Sequence, residues 1–411
     1  MEQMKQHAQR IIQAAIQAAQ PDTAVQKALL HLPPYTGRLM LIAIGKAAWQ
    51  MAHAAHTQLG DRIHGGMVIT KYDHSKGPIG PLLIREAGHP VPDENTYQAT
   101  QQAIHLAEGL NENDLLLFLI SGGGSALFEK PLIPAEEMGD ITGQLLACGA
   151  SITEINTLRK RLSAVKGGKF AHLCAPARVY SVVLSDILGD PLDMIASGPA
   201  HPDSTTAEEA LAIAEKYQLK LSDAARQLLS LDPPRALPNT ESIITGSVRQ
   251  LCLAAEAEAR RLGYTPIVLT DRLCCQAKEA GSFMGSMAAY YRSLGGRYAI
   301  IAGGETVVQL TGHGKGGRNQ ELALAAAPQI AGMEKVLMFS IGSDGTDGPT
   351  DAAGGMVHGD TCAILQKKGI SIPAVLQQND AYHALQHADG LIFTGPTGTN
   401  VNDLSCLLIG D

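Results

Sequence analysis

Short apolar runs that stop abruptly in glycine and polar residues recur along this chain. Leu39–Ile44 runs into Gly45-Lys46, Leu115–Ile120 into Ser121-Gly122-Gly123-Gly124-Ser125, and residues 179–184 into Ser185-Asp186. Farther on, 267–269 meets Thr270-Asp271, 298–302 meets Gly303-Gly304, 335–341 meets Gly342-Ser343-Asp344-Gly345, and 391–393 meets Thr394-Gly395. Uninterrupted hydrophobicity of this kind marks strands covered on both faces, as parallel strands are when crossover helices lie over them. Between the runs, apolar spacing predicts helices over 47–59, 97–108, 134–147, 207–217, 248–262 and 277–294. The alternation predicts an α/β fold of two doubly wound domains with mostly parallel sheets. Ligands of such sheets lie outside the carboxyl ends of the strands, so the polar run-outs are expected to converge on one interdomain cleft. The proline-dense stretch 231–238 sets the expected boundary, with domains over 1–235 and 240–411.

Composition narrows the function more than the fold. With 411 residues the chain has ample core for two domains, and 43 glycines against 4% aromatics suit a loop-rich α/β enzyme rather than a sandwich or coiled coil. A net charge of −8 argues against a nucleic-acid partner, so any anion site has to be a local positive pocket. The seven cysteines form no CxxC pair and read as free thiols of a reducing compartment. Residues 1–30 have a helical pattern interrupted near Pro21 and no signal-peptide core. The longest apolar run, Leu115–Ile120, falls far short of the about 20 residues that span a bilayer. A cytoplasmic protein is expected, with no membrane partner.

Three segments carry candidate chemistry. Between Gly303 and Arg318 lie six glycines, with His313, Lys315 and Arg318, ahead of a helix for which Asn319 is the expected cap. Backbone amides there could close around an anion, with Arg318 adding a bidentate fork. Gly312, Gly314 and Gly317 also fit GxGxxG, but no acidic residue ends the following strand as a dinucleotide site requires. The second segment is Ser121, Gly122, Gly123, Gly124 and Ser125, which could wrap nucleotide phosphates or form a mere turn. The third is Lys46, at a strand end and helix start, where a cation is unfavourable unless an anion compensates it. Asp186, Asp190 and Asp193, and again Asp344, Asp347 and Asp351, stand at strand ends, suited either to magnesium or to turns. The basic run 156–169 fits anion contact and helix capping equally. No Walker A, GxSxG or HExxH sequence occurs.

Taken in order, these segments resemble the class II glycerate kinases, whose C-terminal half is the MOFRL domain. The resemblance is carried by Gly45-Lys46-Ala47, Gly88-His89-Pro90-Val91-Pro92-Asp93, Ser121 to Ser125, Lys166-Gly167-Gly168, Ser185-Asp186 with Gly189-Asp190, and Ala196-Ser197-Gly198-Pro199. It continues through Gly303-Gly304-Glu305-Thr306, Gly316-Gly317-Arg318-Asn319-Gln320-Glu321, Asp344 to Gly354 and Gly395 to Leu404. The resemblance implies ATP-dependent phosphorylation of D-glycerate to 2-phosphoglycerate with Mg2+, in a cleft between two α/β domains. It implies Lys46 and Arg318 as the active-site lysine and arginine; both are expected to touch substrate or phosphoryl group, with Glu305 and Asn319 as further candidate contacts. Loop 121–125 would then hold nucleotide phosphates, and Asp186 and Asp190 are the expected metal ligands. Ala200 departs from the family's Ser-Gly-Pro-Thr and removes a hydroxyl. Two rival readings stand beside this one: an NAD(P)H-dependent hydroxypyruvate reductase, a label carried by family members, and a non-catalytic nucleotide or sugar-acid sensor. A homodimer and a monomer both fit the sequence.

Overall fold

β1 (Leu39–Ile44) and β4 (Leu115–Ile120) carry almost nothing but branched aliphatic residues, and they pair in parallel, residue against residue, at the centre of a six-stranded sheet. With β2 (Ile63–Lys71), β3 (Leu82–Ala87), β5 (Arg178–Leu184) and β6 (Thr240–Gly246), the order is β3-β2-β1-β4-β5-β6. The pairs β1–β2, β2–β3, β1–β4 and β4–β5 are parallel. This is the doubly wound order whose direction of winding reverses between β1 and β4. Leu41, Ala43, Leu117 and Leu119 join a core with the helix Ala48–Leu59.

A second six-stranded sheet is built from β7 (Thr265–Leu273), β8 (Tyr298–Gly304), β9 (Val336–Gly342), β10 (Gly354–His358), β11 (Leu391–Ile392) and β12 (Asp403–Ile409), in the order β11-β10-β9-β12-β8-β7. The helices lie between strands as expected of the α/β class, but here only β7–β8 is parallel; β12 runs antiparallel to both β8 and β9, and β10 to β9 and β11. β12, the last strand, inserts between β9 and β8 and accounts for two of the four antiparallel pairings; β10 makes the other two. The apolar run of β12 is broken by Ser405, which is buried because its hydroxyl bonds that of Ser340 directly across the ladder, at 2.8 Å.

The computed structural model covers residues 1–411, and these divide into two units: 24–185 with 190–245, and 1–23 with 186–189 and 246–411. They are called the first and second unit below. The division differs from the expected domains over 1–235 and 240–411 in two places, beyond a shift of the boundary. The N-terminal helix Glu2–Ala18 belongs to the second unit, because its Met4, Ala8, Ile11, Ile12 and Ala15 form a buried stripe that packs with Leu251, Ala255 and Phe339. Residues 186–189 belong there too. No helix is long and apolar enough to cross a membrane.

Candidate active site

The loops after β1 and β4 meet at the point where the first sheet reverses, which is where open α/β sheets bind ligands. Gly45 has φ +108°, and any side chain there would collide with the hydroxyl and carbonyl of Ser121. Ser121 is itself buried: its hydroxyl donates to the Ile44 carbonyl at 3.1 Å and accepts from the Ala47 amide at 3.1 Å. The Lys46 amide donates to the Gly122 carbonyl at 2.9 Å. These bonds fix the backbone of Lys46 while its side chain stays exposed, with no ion pair or hydrogen bond on its ammonium. The stem of Lys46 and the ring of His89 both lie against Gly123, each about 3.1 Å from where a Cβ would stand. Burial, then the charges of Lys46, Lys71 and His74, hold His89 below the ordinary histidine range and favour its neutral imidazole. The sequence alone does not show that His89, 43 residues from Lys46, comes to lie beside it.

Beneath this loop lies a buried charge cluster drawn from the basic run. Lys166, with no exposed surface, donates to the Ser125 carbonyl at 2.7 Å and sits 3.3 Å from Glu129, also buried. Burial pulls its ammonium down to about 8 against the opposing pull of Glu129. Arg159 reaches the same Ser125 carbonyl at 3.4 Å. The hydroxyls of Ser125 and Ser197 share a hydrogen bond at 3.0 Å. Lys169 donates to the carbonyls of Lys160, Arg161 and Ser163, closing the helix Ile152–Leu162, and Lys160 lies 3.3 Å from both Asp193 and Asp203. The basic run is thus capping and buried pairing rather than an open anion site.

In the second unit, Arg318 opens the helix Arg318–Ala326. Its guanidinium grips Asp403 with Nε at 2.6 Å and Nη2 at 3.0 Å, while Nη1 donates to Glu305 at 3.0 Å. Asp403, more than Glu305, raises the guanidinium above its usual range despite burial. Asn402 donates to the other oxygen of Glu305 at 3.1 Å. The fork expected to hold an anion is therefore filled by Asp403, and only the edge facing the half-exposed Glu305 is open to exchange. The helix N-terminus is filled as well: Asp347 accepts from the amides of Asn319 at 3.1 Å and Gln320 at 2.8 Å. The cap is Gly317, not Asn319. Asn319 is buried, its side chain bonded to Asp347 and Ser340, so it has no surface for substrate.

The glycine loop before Arg318 is also tied inward. The amides of Thr311 and Gly312 donate to Asn379 Oδ1, Gly314 to the Gln378 carbonyl and Lys315 to Asp380. Side chains at Gly312, Gly314 and Gly317 would strike Gln378, Asp380 and Asp347. The GxGxxG spacing thus reflects close backbone packing, not a cradle for pyrophosphate. The second acidic cluster is structural: Asp344 bonds the Thr346 amide, Asp347 caps the helix and Asp351 accepts from Tyr382. In the first cluster, Asp193 is taken by Lys160. Asp190 keeps a buried Oδ1 without a partner at φ +54°. Asp186 belongs to the second unit and Asp190 to the first.

Comparison with known proteins decides the family. Residues 7–230 match a domain of unknown function, DUF4147, and residues 298–403 match the MOFRL family. The chain is 50% identical to the D-glycerate 2-kinase of Thermotoga maritima, over 99% of both chains. The chain belongs to the glycerate 2-kinase family. The crystal structure of a glycerate kinase from Thermotoga maritima superimposes with a TM-score of 0.95 at 49% identity, covering all of both chains. The hydroxypyruvate reductase label recurs as well: a relative from Agrobacterium vitis, 37% identical over 99% of this chain and 94% of its own, is called a putative hydroxypyruvate reductase.

Two expectations test the supports of the site. Lys166→Met should cost about 3–5 kcal/mol, because Glu129 is left buried without its cation. The double variant Lys166→Met/Glu129→Leu should recover most of that loss in urea denaturation. Burial raises Asp347 to about 7, above its unfolded value of 3.8, so the folded state binds the extra proton. Its contribution is fully present below about pH 4 and is lost as pH rises through about 7. Asp347→Asn should accordingly flatten the change in unfolding free energy across that window.

Proposed function

We propose that this chain transfers the γ-phosphoryl group of ATP to the 2-hydroxyl of D-glycerate, giving 2-phosphoglycerate and ADP. The observation that carries this reading is Lys46, an unpaired ammonium whose backbone is fixed at the reversal point of the first sheet. Phosphoryl transfer asks for positioning and charge neutralisation rather than covalent catalysis, because charge spreads over the equatorial oxygens in a loose transition state. A cation without a carboxylate partner is the group that can supply that charge. In this reading the glycerate oxygen forms the new bond to phosphorus as the bond to the bridging oxygen of ADP breaks. The hydroxyl proton passes to a neutral acceptor, for which His89 is the group beside Lys46. Gly122 and Gly123, with the loop from Ser121 to Ser125, approach the phosphates through backbone, since the Ser121 hydroxyl is engaged within the fold. Arg318 and Glu305 act as an exchangeable pair: a substrate carboxylate or the moving phosphoryl takes the Nη1 edge that Glu305 holds.

The family implies Mg2+. Magnesium on nucleotide phosphates takes only one or two protein carboxylates, and the chain offers no set of three His, Cys, Asp or Glu ligands. Asp190, with an orphaned buried oxygen, fits as one such carboxylate, and Asp186 is the other candidate. The ion would neutralise phosphate charge. The reductase reading finds less support, since the turn after β1 reads Gly45-Lys46-Ala47-Ala48 and lacks the dinucleotide glycines.

Incubation with ATP, Mg2+ and D-glycerate should yield ADP and 2-phosphoglycerate, identified by phosphorus NMR, while NADH with hydroxypyruvate should stay unchanged. Lys46→Ala should lower kcat by about 10²-fold or more, the usual scale for losing one preorganised charge donor. Arg318→Ala should lower kcat and raise the KM for glycerate. His89→Gln should remove the fall in rate on the acid side of neutrality. Normal turnover in Lys46→Ala would end this assignment.

A further inference from the structure

The second unit contains a cavity of about 810 Å³ formed around the glycine loop before Arg318. Its size matches sites that bury drug-sized ligands and far exceeds what a three-carbon acid fills. Its walls are aliphatic: Val307, Val308, Leu310, Leu188 and Pro349. Val307 and Leu310 leave 55% and 81% of their surface exposed, an unusual allowance for two large apolar side chains on one lip.

The polar groups of the cavity are few and of one kind. Glu305, Arg318 and Glu321 are its only charged residues. Arg318, the one cation of the cavity, is bound by Asp403 and Glu305 and has only its Nη1 edge to exchange, so the rest of the cavity offers no positive charge to an anion. Glu321 is buried, and only its Oε2 is bonded, to the Asn379 amide at 3.2 Å. Thr306, 4% exposed, buries its hydroxyl oxygen with no partner at all. A buried polar atom without a partner is rare and costly, and here the Thr306 hydroxyl lies in the wall of a cavity large enough to hold the group that would satisfy it. The occupant that complements this set is flat, apolar on its faces, uncharged, and armed with N–H donors at its edge.

We propose that this cavity binds the purine nucleoside portion of the nucleotide, with the base between the aliphatic walls and its amino edge donating to Glu321. Thr306 supplies the second polar contact. The inference rests on the kinase reading for its choice of nucleotide, but it assigns the base to this cavity by its aliphatic walls and by the buried Thr306 oxygen that no protein group satisfies. The pocket is also separate from the GxGxxG argument, because the glycines there pack against Gln378 and Asp380 and only shape its wall.

Calorimetric titration of the full chain with adenosine, which has no phosphate, tests the cavity apart from catalysis. Adenosine should bind, with Val308→Trp, which fills the cavity, and Glu321→Gln each weakening it at least tenfold. The same variants should raise the KM for ATP by a similar factor while leaving the KM for D-glycerate within about twofold. Circular dichroism and melting temperature check that each variant is folded; if Glu321→Gln unfolds, Leu310→Asp, on the exposed lip, takes its place with the same expectation. Failure of adenosine to bind the wild-type chain at millimolar concentration, or undiminished binding in the folded variants, overturns the proposal. Adenosine binding that the variants abolish, in a chain that transfers no phosphoryl group, would instead sink the kinase reading and leave the cavity's assignment standing.

Discussion

The contact of Gly45 with Ser121 is the constraint on which the candidate site depends. Two parallel strands end side by side, and their loops can cross only if one residue lacks a side chain and the other turns its hydroxyl inward. Ser121 then satisfies the Ile44 carbonyl and the Ala47 amide at once, so both loops leave the sheet along fixed paths. Lys46 inherits its position from that crossing rather than from bonds of its own. An ammonium held in this way gives up little when an anion arrives, since neither an ion pair nor a hydrogen bond has to break first. That is the structural meaning of preorganisation at this site.

Rigidity at the end of the same loop comes from groups that are expensive to bury. Lys166 and Glu129 are both removed from water, and a pair of that kind gives little net stability. What it gives is direction: the Lys166 ammonium and the Arg159 guanidinium both point at the Ser125 carbonyl, from one helix and the turn that follows it. The cluster therefore holds loop 121–125 from below while leaving Gly122 and Gly123 partly open above. The same economy appears in the second unit, where Asp347 closes a helix N-terminus that would otherwise attract a ligand anion.

The sequence was most legible where periodicity is strong and the chemistry local. The central strands β1 and β4, the helices between them and the two glycine loops after them follow directly from apolar runs and their breaks. β12 was missed because Ser405 interrupts its hydrophobic run, and its partner Ser340 lies 65 residues away, so the antiparallel insertion had no local trace. The helix Glu2–Ala18 was visible as an amphipathic stripe, but nothing in the stripe says which sheet it covers. Charges were read least well. Lys46 and Arg318 look alike in sequence, each following a glycine near a helix start, yet one is bare and the other is bound by two carboxylates. Asn319 looks like a cap and is instead a buried link between Asp347 and Ser340. Partners of that sort come from distant segments, and no window of residues contains them.

This contrast between the two cations bears on how the second unit can take part in chemistry. A guanidinium already bound bidentately by Asp403 cannot offer its fork to phosphate without exposing a buried carboxylate, which burial makes costly to leave charged. Exchange at Nη1 is different, because Glu305 is half exposed and regains water when displaced. Asn402, which bonds the second oxygen of Glu305, sets the cost of that displacement. Asp403 therefore fixes the orientation of Arg318, and in the proposed reaction Glu305 holds its open edge until a competing oxyanion replaces it. Such an arrangement makes the arginine selective for a ligand that can match a carboxylate in shape and charge, which a single unpaired lysine cannot be.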